Sequence, residues 1–596
     1  MSRTTKMVSA VTVLSTAGLT LAACGGEGSG GQPGTEEAVR GGTLNVLGAG
    51  DVDYMDPNVS YYSTGYSTLR LWSRQLLTFP AVGGKTTTAV PDLATELPTE
   101  SNGGISSDGK TYTIKMRSDA QWNTSPARTV TADDAVRGVK RTCNPVQPFG
   151  GIPDFADLIV GYQKFCDGFA KAGQSPADMA EYVEKTPLPG VVAKDPQTVV
   201  FKLTRPATYF IDMLALPAFS PAPEEFLKYA PGSAELAQHT ISDGPYTIDS
   251  YKPTKGITFS RNPAWKEGSD PVRKAYVDQV VVNETVSQES VQQQLQTGTP
   301  SADLQYDVAV QASKLPKLMA TKDPNLVLGE TFSTNPYIVF NEVSPNNAGA
   351  LGKVKVRQAL SYALDRDNIL QVLGGPKINP PLTHILPPGI EGSTNFDPYP
   401  HDVAKAKALL KEAGYPNGLT LKFLYRNSTE ASSKTFQTVQ QDLKAAGITV
   451  KGVPSPNADF YTKYLQVPSV AKRGVWDLSA SSWGPDWYGN AAVSFFQPLL
   501  FGKSSFPPVG SNFGFYDNDA AQSKIQQAAS ATQRADAEKL WAEADKLVMD
   551  DAPIYPLTSP KWASYHASQV KNAVFIPAFQ NFDMANVWLP KDQQGG

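Results

Sequence analysis

Apolar residues recur along this chain at two spacings, alternate and three-to-four, and the two predict strands and helices respectively. Alternation runs through Tyr112, Ile114 and Met116, through Thr198 to Leu203, and through Val277 to Val282; Tyr246 to Ile248 opens a hairpin toward Arg261. Ser287 to Gln296 reads as a polar helix. In the second half, Val356, Leu360, Leu364 and Ile369 give a helix over Val354 to Leu373. Two more helices, His401 to Ala413 and Lys434 to Ala446, stop at Gly414 and Gly447 and lead into or follow strands at Leu419 to Tyr425 and Ile448 to Val453. Alternation of that kind implies a largely parallel sheet. A last helical stretch covers Ala520 to Met549, and Asp551 to Leu557 runs back toward the first half. Leu326 to Phe332 and Tyr337 to Asn341 read as segments crossing between two lobes, and two crossings make a hinge.

One stretch breaks its pattern in a way that invites chemistry. Val475, Trp476, Leu478 and Ala480 are spaced as a half-buried strand, and Gly484 and Pro485 stop it. Asp486 is thereby set at a strand end, where α/β folds place ligand groups, between Trp483 and Trp487. A carboxylate among aromatic rings suits a cation. The plainer alternative makes the tryptophans core residues and Asp486 a cap for the segment from Ala491 to Phe496.

The chain has 596 residues, too many for one ordinary core, so two or three domains are expected. Formal net charge is only -4 with 18 % charged residues and no long Lys/Arg block, which argues against nucleic acid as a partner. The N-terminus adds a destination. Arg3 and Lys6 precede an uncharged stretch from Met7 to Ala23, and Leu21-Ala22-Ala23-Cys24 is a lipobox. The expectation is a signal peptide over 1–23, a lipidated Cys24, a Gly/Ser-rich linker over 24–39, and a mature protein tethered outside the cytoplasm. With Cys24 committed to lipid, Cys143 and Cys166 remain, and an exported protein pairs an even remainder as a disulfide; two buried free thiols are the alternative.

Catalytic and cofactor signatures are few. Gly104 to Thr111 spells G-x-x-x-x-G-K-[ST], yet an alternating strand rather than a helix follows, so no helix start faces a phosphate. Neither G-x-S-x-G nor H-E-x-x-H occurs, and His239, His384, His401 and His566 share no ligand spacing. No catalytic residue, metal or cofactor is expected, although a glycosidase-like carboxylate pair carries no motif by which to exclude it.

Several blocks together resemble one family. They are the Gly41-Gly42-Thr43-Leu44 strand, the turn from Asp51 to Asp56-Pro57, Pro91 to Ala94, Asp108 to Arg117, Trp122 and Thr131 to Asp134. Gly244-Pro245-Tyr246, Arg261-Asn262-Pro263 and above all Val356 to Arg366, VRQALSYALDR, extend the likeness over roughly Gly41 to Leu589. The chain resembles the extracellular solute-binding proteins of family 5, peptide and nickel binders of ATP-driven importers. The resemblance implies an α/β, two-lobed periplasmic-binding-protein-like fold of type II with an extra domain, mixed sheets flanked by helices and a hinge of two crossing segments. Lobe 1 would take 40–72, 216–331 and 553–596, the extra domain 73–215, and lobe 2 332–552.

In peptide-binding members of that family an aspartate of a W-x-x-D block pairs with the peptide's α-ammonium, and Trp483-Gly484-Pro485-Asp486 stands at that block. Ser482 and Gly484 would offer backbone to an extended peptide, Trp487 an aromatic wall, and Tyr61, Tyr62 and Ser63 the facing side. The expected partners are a peptide or small amine solute, an ABC permease and its ATPase, and the membrane through the lipid anchor, with the protein a monomer. No Lys or Arg lies between Trp476 and Phe501, so nickel complexes, opines and other amines stay open as ligands. A peptide-sensing surface receptor is the non-transport alternative, and an extracytoplasmic hydrolase the remote one.

Overall fold

Two five-stranded mixed sheets carry the structure, a computed structural model that describes residues 37–594 except 157, 428–429, 457–458 and 509. The signal peptide, Cys24 and most of the linker lie outside the described residues. No helix among the described residues is long and apolar enough to cross a membrane.

In the first sheet Thr43–Leu47 lies parallel between Gln279–Asn283 and Leu304–Gln305, and the hairpin Tyr246–Lys252 with Gly256–Arg261 extends it antiparallel. Leu44, Val46, Val280 and Val282 are fully or almost fully buried and alternate with half-buried Thr43, Asn45, Gln279 and Val281, so one face of these strands carries the core. The second sheet runs Thr449–Ser455, Thr420–Arg426, Leu478–Trp483, Thr334–Phe340 and Ile554–Pro556, with the first three mutually parallel and Thr334–Phe340 antiparallel to both its neighbours. A third, antiparallel sheet of Thr111–Lys115, Thr198–Lys202 and Val191–Asp195 belongs to the residues between. There, Cys143 and Cys166 are joined as the expected disulfide, tying the end of the Ala132–Arg141 helix to the Tyr162–Phe169 helix.

The chain leaves one large sheet for the other twice. Leu326–Glu330 pairs antiparallel with Lys561–Tyr565, and the passages to the second sheet are 331–333 and 557–560. Tyr337 and its successors are thus a buried strand of the second sheet and not a crossing. The two passages are fastened to each other, because the Thr331 hydroxyl donates to the Pro560 carbonyl at 2.6 Å.

Two long helices expected from periodicity are each split. Val354–Ala363 and Arg366–Val372 are separate, because Asp365 adopts an extended backbone and its carboxylate accepts the Asn368 N–H at 3.2 Å as an N-cap. Asp519–Ala529 and Arg534–Asp551 are likewise separate. At the G-x-x-x-x-G-K-[ST] match, Gly109 takes a left-handed φ of 66° and its N–H donates to the Ser106 carbonyl. That turn delivers the chain into the Thr111–Lys115 strand, with no helix start behind it.

Candidate functional site

The Ser63–Trp72 helix is approached by a loop that folds around one carboxylate. Asp53 accepts the Ser60 hydroxyl at 2.7 Å, the Tyr61 N–H at 2.6 Å and the Tyr62 N–H at 3.1 Å. This buckle turns Tyr61 and Tyr62 outward, where they are 38 % and 64 % exposed. The Tyr61 ring is backed edge-on by Phe149, with centroids 5.3 Å apart.

Opposite, the Leu478–Trp483 strand ends and the chain turns through Gly484 and Pro485 into the Val493–Leu500 helix. Ser494 organises the turn. Its hydroxyl accepts the Asp486 N–H at 2.9 Å and donates to the Asp486 carboxylate at 3.0 Å, while its carbonyl accepts the Trp483 indole N–H at 2.7 Å. The other carboxylate oxygen accepts the Tyr61 hydroxyl. Asp486 therefore does not cap the following helix; its partners are hydroxyl groups from two sides of a cavity. The residue is half-buried, yet the protein around its carboxylate is dense enough that burial raises its pKa, against the two hydroxyls, which lower it.

The cavity measures about 390 Å³. Tyr61, Tyr62, Ser63, Gly484, Asp486 and Trp487 all line it. Trp487 is also buried wall material, stacked on Tyr209 at 5.8 Å with its indole N–H donating to the Asn490 carbonyl. Ser482 and Trp483 stand outside the lining: Ser482 lies 3.4 Å from the Tyr461 hydroxyl and Trp483 packs over Ser494. The strand that carries them pairs with Thr420–Arg426 only at Leu478 and Ser479, so one edge runs on beyond Ser479 without a strand partner among the described residues.

Sequence reasoning left out Tyr66, Phe79, Leu216, Tyr488 and Phe579, which complete the rings and apolar surface of the cavity. Tyr66 had a signal, as the last ring of the run that starts at Tyr61. Phe579 had none, arriving from the far end of the chain. Ser494 had none either, because its role depends on how the turn folds back. None of the lining residues is Lys, Arg or His, and no group of His, Cys, Asp or Glu among the described residues is arranged to hold a metal.

Comparison with known proteins bears on this geometry. The model for bacterial extracellular solute-binding proteins, family 5 middle region, matches residues 88–506. The glutathione-binding protein GsiB of Pectobacterium atrosepticum is 27 % identical over 493 residues, covering 80 % of this chain and 84 % of the relative. Among solved structures, clavulanic acid biosynthesis oligopeptide binding protein 2 superposes with a TM-score of 0.81 at 24 % identity, over 93 % of this chain and 96 % of that one. The periplasmic binding protein DppA of Helicobacter pylori, in complex with the peptide STSA, gives 0.65 at 22 % identity over 93 % and 99 %. At these identities the structures establish the type II periplasmic-binding-protein fold.

Proposed function

The chain belongs to the bacterial extracellular solute-binding proteins of family 5, and on that premise we propose that it captures a peptide, or a similar amine, by its ammonium at Asp486 and delivers it to an ABC permease. The carrying observation is the state of that carboxylate. Among the described residues it is the only charged group lining the cavity, its partners are the Tyr61 and Ser494 hydroxyls, and no cation among them neutralises it there. A ligand ammonium supplies the missing charge, and a charge-assisted bond in a site closed to water is short and strong. The open strand edge beyond Ser479 favours a peptide, whose backbone can pair there while side chains are read loosely.

Tyr61 comes from the segment before the Ser63–Trp72 helix and Asp486 from the second sheet, so ligand binding favours the closed arrangement of 40–72, 216–331 and 553–596 against 332–552, with 73–215 as the extra domain. Lipidation at Cys24 and a monomeric state complete the proposal; the lipobox supports the first. Ser482 and Trp483 act in it through backbone and through the packing that holds Asp486.

Two measurements test this. Mass spectrometry of small molecules that copurify with the protein should find amines, peptides foremost. Calorimetric titration with such a peptide and its N-acetylated form should show strong preference for the free amine; equal affinity for both would end the reading of Asp486 as the amine receptor.

A further inference from the structure

The wall of the cavity holds a polar group with nothing to bond. Tyr66 lies on the first turn and a half of the Ser63–Trp72 helix, its N–H donating to the Tyr62 carbonyl at 3.0 Å. Its side chain lines the same cavity as Asp486. The residue is only 8 % exposed, and its hydroxyl has no hydrogen-bond partner among the described residues. A buried hydroxyl without a partner is destabilising, and such a cost tolerated at a ligand site is a sign that the ligand removes it.

The chemistry of the neighbouring carboxylate says what the ligand brings. Each Asp486 oxygen already accepts one hydroxyl proton, from Tyr61 and from Ser494. Each oxygen then has about one accepting position left. A primary ammonium has three N–H donors, so even a fully engaged Asp486 leaves one of them over. The cavity offers no second carboxylate for it. The Tyr66 oxygen is an uncharged acceptor near enough that the Asp486 and Asp53 charges, after burial itself, raise its pKa, and it stays a neutral hydroxyl throughout the working pH range.

We propose that Tyr66 is a second ligand-reading residue, its hydroxyl oxygen accepting the ammonium N–H that Asp486 cannot, so that the protein selects primary amines, with three N–H donors, over dimethylated ones of equal charge, with one. This rests on the reading of Asp486 as the amine receptor, and it adds a requirement for the number of N–H donors to the requirement for charge. It also ties the Ser63–Trp72 helix to the 484–488 turn through one ligand atom.

The test offers the immobilised protein an equimolar tripeptide library in three forms, free amine, N,N-dimethylated and N-acetylated, and reads retention by mass spectrometry for wild type and Tyr66→Phe. Wild type should retain the free amines best, the dimethylated forms less and the acetylated forms least. Tyr66→Phe should lose about ten- to a hundredfold for free amines, hold the dimethylated forms unchanged, and melt at the same or a higher temperature, since the unbonded hydroxyl is gone. Undiminished retention of free amines by the variant would overturn the role of Tyr66 alone. So would an equal loss of all three forms with a lowered Tm, which marks a hydroxyl that supports the fold. Wild type that retains acetylated peptides as well as free ones, or retains none of the library, would instead overturn the underlying reading of Asp486 and the Tyr66 proposal with it.

Discussion

Asp486 and Asp92 are both carboxylates withdrawn from bulk water, and they are answered in opposite ways. Asp92 is fully buried and meets Arg74 at 2.8 Å and Arg273 at 2.9 Å; Asp270 joins the same two guanidinium groups at 3.6 and 3.3 Å. Against the burial that pushes it up, Arg74 and Arg273 hold the Asp270 carboxyl below its ordinary value. The Arg273 Nε–H bonds the Arg70 carbonyl at 2.9 Å, so the quartet stitches the end of the Ser63–Trp72 helix to the loop at 270–273. Asp486 meets only hydroxyls and its pKa goes up. A buried charge balanced within the protein is architecture; one left to hydroxyls is open to a partner from outside.

The largest effect that can break this contrast lies in the quartet. Arg273→Leu leaves Asp92 and Asp270 sharing one guanidinium, and breaking a buried pair from one side costs about 3–5 kcal/mol. Chemical denaturation should show that loss, with ligand affinity of the folded fraction unchanged; an unaltered midpoint would remove the quartet from the list of supports. Asp486→Ala is the mirror image. It should cost about 2–5 kcal/mol of binding, roughly thirty- to several-thousand-fold in affinity, and leave Tm near that of wild type. Because the ammonium pairs with the ionised carboxylate and burial raises the Asp486 pKa, wild-type affinity should also rise with pH through that pKa, level off, and fall again as the ligand's own α-ammonium loses its proton at about pH 8. Affinity independent of pH in the acidic range would contradict a carboxylate receptor.

Much of this contrast was legible in the residues. Asp486 stood out because Gly484 and Pro485 end an alternating strand just before it, and the strand, turn and ring neighbours are local facts. Asp92 did not, since its partners come from positions 74 and 273 and nothing in spacing brings them together. Helices followed periodicity, but Asp365 split one of them by a capping bond worth more locally than continuity. The W-x-x-D block suggests Trp483 as a wall and Ser482 as a backbone partner; in the fold the Trp483 indole bonds the Ser494 carbonyl, the Ser482 hydroxyl sits near that of Tyr461, and neither lines the cavity.

The disulfide connects the two kinds of region. It closes the loop that carries Phe149, whose ring backs Tyr61, the hydroxyl donor to Asp486. Replacing Cys143 and Cys166 together by Ala should cost roughly 3 kcal/mol of stability through the chain entropy of the unfolded state. Titration should show a smaller loss of affinity, a few-fold, as the Tyr61 ring loses its backing. Unchanged thermal unfolding would mean that the closed loop is held by packing alone, with Phe149 against Phe155 as the reason.

The smallest effect concerns Glu284, a third kind of buried carboxyl, which has neither an ion partner nor a place on the cavity wall. It is 2 % exposed and lies beside Asp51 and Asp307, and burial first, then the Asp51 charge, push its pKa from 4.5 to about 8. Asp51 is itself engaged by the Tyr251 hydroxyl and the Thr254 N–H, and Asp307 by the Ala49 N–H. At neutral pH Glu284 is therefore protonated and uncharged, the alternative to pairing that a low-dielectric site permits. Its folded pKa lies above its unfolded one, so its contribution to stability is complete below about pH 4.5 and is lost as pH climbs through about 8. Glu284→Gln keeps a neutral side chain with a donor and cannot ionise. Its Tm should match wild type at about pH 4, exceed it at about pH 6 and exceed it by more at about pH 9, with variant and wild type equal in peptide affinity at each pH. Parallel melting curves across that range would show that Glu284 does not change charge there, and an affinity difference between variant and wild type that grew through its titration would make this cluster part of the binding site, erasing the distinction between a carboxyl silenced by a proton and one held ready for an amine.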